Sequence, residues 1–180
     1  MHKIIGVIKE LEKNRQTMFI SKDSIELISI LLRKLKPEKV LEIGMFYGYS
    51  TLWFSLYAKQ VITLEIDETS IKIAKENFKK ANCRNISIIP GDAILSLKKL
   101  KDKVDIVFID AKKSDYKTYL ELSLNVINEA ALIFVDNTIS HKESMKDFFE
   151  YLQQSDLFFK ELNIGKGLMI ISKKLTEFNF

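Results

Sequence analysis

The chain has 180 residues, 47% hydrophobic and 29% charged, with two prolines and six glycines, which suits one ordinary globular domain large enough to bury its own core. Its net charge of +4 is carried almost wholly by lysine, with arginine only at Arg15, Arg33 and Arg84, so a dedicated nucleic-acid binder is weakly supported. One cysteine, Cys83, excludes an internal disulfide and fits a reducing, cytoplasmic setting; the longest strongly apolar run, 130–135, is too short to span a bilayer, and Lys9 and Glu10 interrupt the run from Ile4 that a signal peptide would keep.

In chain order, Ile4, Val7, Ile8 and Leu11 recur at helical spacing and predict a short amphipathic helix. Ser21 or Asp23 caps a second helix with Ile25, Ile28 and Leu32 on its apolar face, and Pro37 ends it. These N-terminal helices occupy 1–36, and the core domain is 37–180. Strands are then expected at 39–43, 60–66, 85–89, 104–109 and 131–135, and helices at 49–58, 69–81, 93–100, 116–127 and 142–153. Two last strands, 157–162 and 168–172, flank the Gly165-Lys166-Gly167 turn as a hairpin. Strands alternating with helices predict a Rossmann-like, doubly wound seven-stranded sheet, mostly parallel with one antiparallel strand, in a single α/β domain. Ligands of such sheets bind beyond the carboxyl ends of the strands, near the point where strand order reverses.

The first such loop runs Leu41-Glu42-Ile43-Gly44-Met45-Phe46-Tyr47-Gly48-Tyr49-Ser50. Gly44 allows a tight turn and close approach to a ligand, and Gly48 and Ser50 open the next helix, whose free N–H groups favour an anionic group. The second strand ends at Glu65, 23 residues past Glu42, where an acid accepts hydrogen bonds from a ribose diol or caps a helix. The third is followed by Gly91-Asp92-Ala93; Asp92 suits an exocyclic amine such as that of adenine, or an N-cap. The spacing Gly44-x-x-x-Gly48 departs from G-x-G-x-x-G and argues against NAD and FAD.

The fourth strand leads to Asp110 and Lys113, and the fifth to Asp136-Asn137. Adjacent parallel strands would set Asp110 beside Asp136 and Asn137, three oxygen ligands suited to a hard cation such as Mg²⁺; turn and cap roles are the alternative. A neighbouring cation disfavours the ammonium form of Lys113, which suits a general base. His141 is a further candidate ligand or base, or a loop residue at a helix start. Trp53, Tyr57, Phe148 and Phe149 read as core; Tyr116 and Tyr119 line the acceptor pocket or pack.

Six motifs in order then resemble the cation-dependent O-methyltransferases, the group that includes catechol and caffeoyl-coenzyme A O-methyltransferases. They are LEIG-x-x-x-GYS (41–50), the acid Glu65, GDA (91–93), FID-x-x-K-x-x-Y (108–116), VDN (135–137) and G-x-GL (165–168), within a match over 21–173. The resemblance implies S-adenosylmethionine as methyl donor. It implies a cofactor set of Glu42, Gly44, Phe46, Gly48, Ser50, Glu65, Ile66, Gly91, Asp92, Ala93 and Asp110. It also implies Asp110, Asp136 and Asn137 as ligands of Mg²⁺ or another divalent cation, with Lys113 and Asp110 catalytic. The expected acceptor is a small, catechol-like hydroxyl compound and the expected assembly a homodimer. A hydroxylated tRNA base is the alternative acceptor, and a non-catalytic cofactor-binding protein the alternative role. Lys112 stands where bacterial relatives usually carry an acid, and both the loop after Asn137 and the N-terminal arm are short. Those are the parts that shape acceptor recognition.

Overall fold

The computed structural model describes residues 1–14 and 16–174. Arg15 and the last six positions of the expected core, 175–180, lie outside the described residues. Helices α1 (His2–Lys13) and α2 (Lys22–Leu35) come first. Ser21 caps α2 by accepting the Ser24 N–H at 3.1 Å, and Lys36 ends it in the left-handed region, one residue before Pro37. There follow β1 (Lys39–Ile43), α3 (Tyr49–Ser55), β2 (Gln60–Glu65), α4 (Glu68–Lys80), β3 (Ile86–Pro90), α5 (Ala93–Lys99) and β4 (Val104–Ile109). Then come α6 (Tyr116–Leu124), β5 (Ile127–Asp136), α7 (Lys146–Gln154), β6 (Phe158–Leu162) and β7 (Leu168–Ser172). Short 3₁₀ turns at Lys113–Asp115 and Lys142–Met145 precede α6 and α7.

The strands form one sheet in the order β3-β2-β1-β4-β5-β7-β6. All neighbours are parallel up to β5, and β7 runs antiparallel to both β5 and β6. This is the doubly wound seven-stranded sheet expected, with its one antiparallel strand. Strand order reverses between β1 and β4, so the loops after Ile43 and Ile109 border the crevice.

Alternate residues of the inner strands feed two cores, while the edge strands β3 and β6 are half-buried and mostly exposed, respectively. Val40, Val61, Phe108, Phe134 and Ile170 pack with α1 to α4, whereas Leu41, Ile62, Ile109, Val135 and Ile171 pack with α5 to α7. Both faces being buried, the strands read as continuous apolar runs. Trp53, Tyr57 and Phe149 are partly buried against these cores and Phe148 fully, as expected.

Some boundaries differ. The fifth strand begins at Ile127, not 131, and α6 stops at Leu124. A register shift between Val104 and Ile106 inserts extra residues of β5 opposite β4, and Asn128 donates to Asp105 there at 2.7 Å. The helix expected from 142 starts as a 3₁₀ turn. Among the described residues no helix is long and apolar enough to cross a membrane.

Candidate active site

The switch point is built on glycine. Gly44 leaves β1 with φ +93°, and a Cβ there would lie 2.2 Å from the Asp110 carbonyl oxygen. Only a residue without a side chain lets the loops after β1 and β4 touch. Gly48, at φ +81°, starts α3 against Phe78, whose ring a Cβ would meet at 2.4 Å. Gly44→Ala is therefore expected to destabilise the fold by roughly 2–4 kcal/mol, from left-handed strain plus a clash with backbone that has no free rotamer. Urea unfolding checks this; an unchanged midpoint contradicts it.

Between the glycines, Phe46 adopts φ +51° and its ring stacks on Tyr47 at 3.8 Å between centroids. Phe19, from the segment before α2, packs edge-on to Phe46 and stacks on Tyr49 at 4.9 Å. Asn77 of α4 donates to the Tyr47 carbonyl at 2.9 Å. The turn is thus held from three sides.

Glu65 ends β2 and accepts four backbone N–H groups. Met45 and Phe46 donate to one oxygen at 3.1 and 2.7 Å, and Ile66 and Asp67 to the other at 2.8 and 2.9 Å. Its carboxylate therefore ties the glycine turn to the loop after β2, and it faces the cleft.

Glu42 differs from expectation. The resemblance implies a cofactor contact, yet Glu42 is fully buried and does not line the cleft. It points to the α3 face of the sheet, where Ser50 and Thr51 donate to its two oxygens at 2.5 Å each and Thr63, its register partner on β2, donates at 2.6 Å. Burial pushes its pKa from the ordinary 4.5 up to about 7, against the three hydroxyls that lower it. The folded state then holds a proton that the unfolded state releases, so stability falls as pH rises from about 4.5 to about 7, by an order of 3 kcal/mol. Glu42→Gln should remove that slope and melt higher than the parent at pH 8, with little change at pH 5. Parallel melting curves at both pH values would contradict this.

Ser50 lines the cleft, but its hydroxyl is committed to Glu42. Gly91, Asp92 and Ala93 do not line it. Asp92 is the N-cap of α5, accepting from Leu95 N–H at 3.0 Å, so the capping alternative describes its contact here.

On the other side, parallel pairing of Ile109 with Val135 sets Asp110 next to Asp136 in register. Lys113 donates to Asp110 Oδ1 at 2.7 Å and to the Tyr116 hydroxyl at 2.6 Å, and both partners of that ion pair are mostly shielded from water. Tyr116 is fully buried; burial and the nearby Asp110 raise its pKa well above the ordinary value. Tyr119 is also buried, and its pKa is raised to about 12 by burial and Asp115. Asp136 is 1% exposed, and its pKa is pushed up to about 7 by burial and then by Asp110. Its Oδ1 is a buried oxygen with no hydrogen-bond partner among the described residues. Asn137 follows at φ +68° and lines the cleft.

Among the described residues no cluster of three or more His, Cys, Asp or Glu side chains is placed to hold a metal ion. The set offers two carboxylates and one amide. That chemistry fits a hard cation: among the described residues nothing donates a hydrogen bond to the buried Asp136 Oδ1, and Asp110 beside it opposes its ionisation. His141 lines the same cleft, its Nδ1 2.8 Å from Ser140 Oγ.

Gly44, Phe46, Ser50, Glu65, Asp110, Lys113, Asn137 and His141 border one cleft of about 660 Å³, with Asp136, Tyr116 and Tyr119 outside its lining, and that volume is within the usual range for a small-molecule site. The cleft also takes in Thr17, Met18, Phe19 and Ile20 from the α1–α2 connection, and Lys166 from the β6–β7 turn. Sequence reasoning missed both as site elements, since neither follows a parallel strand. The G-x-GL motif was the one signal at Lys166.

A family model described as O-methyltransferase matches residues 4–164. A caffeoyl-CoA O-methyltransferase of Stellaria longipes is 30% identical over 147 residues, covering 73% of this chain and 61% of that protein. A catechol O-methyltransferase of Mycobacterium tuberculosis is 30% identical over 125 residues, 67% of this chain and 57% of that protein. The match thus spans about three fifths of the length of these two relatives. An O-methyltransferase from Bacillus cereus, solved in complex with SAH, superposes with a TM-score of 0.80 at 22% identity, over 95% of this chain and 90% of that one. With the glycine turn, Glu65, Asp110, Lys113, Asn137 and Lys166 around one switch-point cleft and the match running through nearly all of it, the chain belongs to the O-methyltransferase family related to the catechol and caffeoyl-CoA enzymes.

Proposed function

We propose that this protein is an S-adenosylmethionine-dependent O-methyltransferase of a small hydroxylated acceptor, assisted by a divalent cation. One observation carries the reading. A single cleft at the switch point is lined by an acid suited to ribose, Glu65, on its β2 side and by the Asp110–Lys113 pair and Asn137 on its β4–β5 side, with the buried Asp136 carboxylate directly behind that lining.

The donor would occupy the half bordered by Gly44, Phe46, Ser50, Glu65 and Ile66. Ile66 and Met18 are each 67% exposed apolar side chains on this cleft, ready to cover a flat base. The four acceptor sites of Glu65 are filled by amides, so a vicinal diol would trade places with some of them. Glu42 acts here as a positioning residue that fixes Ser50 and the start of α3, and Gly48 lets that helix start against α4.

Asp110, Asp136 and Asn137 would hold the cation, which when bound supplies Lewis acidity toward an acceptor hydroxyl. Lys113, held between Asp110 and Tyr116, takes or steers the hydroxyl proton. The acceptor oxygen bonds to the methyl carbon as the carbon–sulfur bond of the sulfonium breaks. The rigid turn and the α1–α2 connection hold the two reactants together. A homodimer and a cytoplasmic setting belong to the same proposal, supported by exposed Ile5, Ile30 and Leu35 on α1 and α2 and by the free Cys83.

The test is incubation with methyl-labelled S-adenosylmethionine and catechol, with Mg²⁺ or with EDTA. Label should appear as an O-methyl ether and fall at least about tenfold in EDTA. Absence of transfer to catechol and to other hydroxyl acceptors contradicts the reading; transfer undiminished by EDTA contradicts its metal part.

A further inference from the structure

We propose that the acceptor carries an anionic substituent, a carboxylate or a phosphate, in addition to the hydroxyl that is methylated, and that Lys166, aided by Lys112, recognises it. This rests on the methyltransferase reading above.

The sheet order gathers the lysines of the cleft on one side. Glu65 ends β2 and Asp67 follows it, on one side of β1. Lys112, Lys113 and Lys166 come from the loop after β4 and the turn before β7, on the other side. Asp110 lines that side too, but Lys113 is its ion-pair partner, which leaves Lys112 and Lys166 to a ligand. Lys113 is committed to Asp110 at 2.7 Å. Lys112 pairs with Asp115 at 3.3 Å, but its side chain is 73% exposed, and such a pair is weak and readily exchanged.

Lys166 differs from both. Its ammonium donates to a neutral partner, the Thr17 carbonyl, at 3.1 Å, across the cleft wall. Its backbone is fixed. Gly165 and Gly167 have φ +60° and +96°, and a Cβ on either would lie within 2.1 Å of Ser21 Oγ or 2.3 Å of Ile139 N. The Lys166 carbonyl accepts from Ile139 and Ser140 N–H at 3.1 and 3.0 Å. The turn is thus wedged between the start of α2 and the loop after Asn137. Those bonds to Ile139 and Ser140, in the loop after Asn137, set it on the acceptor side. A preorganised cation over a cleft lined by Met18 and Phe19 is a site for a fixed negative charge on the molecule below it. The sulfonium of the donor is itself positive, so these lysines do not serve the transferred methyl group.

The test is titration calorimetry on the full chain loaded with S-adenosylhomocysteine and Mg²⁺. The probes are catechol, 3,4-dihydroxybenzoate and 3,4-dihydroxybenzylphosphonate. At least one anionic probe should bind roughly tenfold more tightly than catechol, and which one does so distinguishes carboxylate from phosphate. Lys166→Gln should abolish that advantage, Lys166→Arg should keep it and Lys112→Gln should reduce it. The Kd values of catechol and of S-adenosylhomocysteine should not move. Equal binding of all probes, binding of none, or an advantage surviving Lys166→Gln overturns the proposal. So does weaker S-adenosylhomocysteine binding in Lys166→Gln, which would assign Lys166 to the donor carboxylate, or binding of bulk tRNA in preference to every probe. The methyltransferase reading fails separately, in the transfer assay, since this comparison needs no turnover.

Discussion

Asp136→Ala is expected to lower methyl transfer by about 10²-fold or more, with S-adenosylmethionine affinity changed only a few-fold. The reason is the position of this carboxylate. It is buried, one oxygen has no hydrogen-bond partner among the described residues, and it follows Val135, the register partner of Ile109, as Asp110 follows Ile109. A group placed so is costly to the empty fold, because desolvation and Asp110 both oppose its ionisation. Removing it should therefore leave the metal-free protein at least as stable as the parent at pH 8. Mg²⁺ should raise the Tm of the parent and not that of the variant. Thermal melts with and without Mg²⁺, alongside the labelled transfer assay, read both effects. Full activity in the variant, or an equal Mg²⁺ shift in both proteins, contradicts this account.

Glu65→Ala is expected to weaken S-adenosylmethionine binding by about 100-fold. Four amides from two loops lose their acceptor at once, so the variant loses the ribose partner and also the order of the glycine turn. Glu65→Gln separates these roles. Its remaining carbonyl oxygen keeps part of the loop contacts, so its Tm should stay nearer the parent while its affinity still falls. Calorimetry on the three proteins measures this; affinity unchanged in Glu65→Ala contradicts it.

Much of this site was legible because its signals are local. Gly44 and Gly48 announce positive φ, and both take it. Asp110 and Asp136 each close a run of strand residues, so parallel pairing was enough to bring them together. The inward turn of Glu42 was not legible. It lies between Leu41 and Ile43 in a strand buried on both faces, where alternation does not tell inside from outside. Its partners Ser50, Thr51 and Thr63 were visible as residue types, but pairing them needs the β1–β2 register. The early start of β5 depends on a register shift against β4 that no residue advertises. Segment 17–20 and Lys166 reach the cleft through the packing of α2 and the β6–β7 hairpin, which the rule about strand ends does not cover.

The whole account stands on the turn between Gly44 and Ser50 holding the methyl donor. Titration of the purified chain with S-adenosylmethionine tests that claim most directly. One saturable site and a rise in Tm are predicted; no heat and no shift in Tm up to millimolar donor would contradict it.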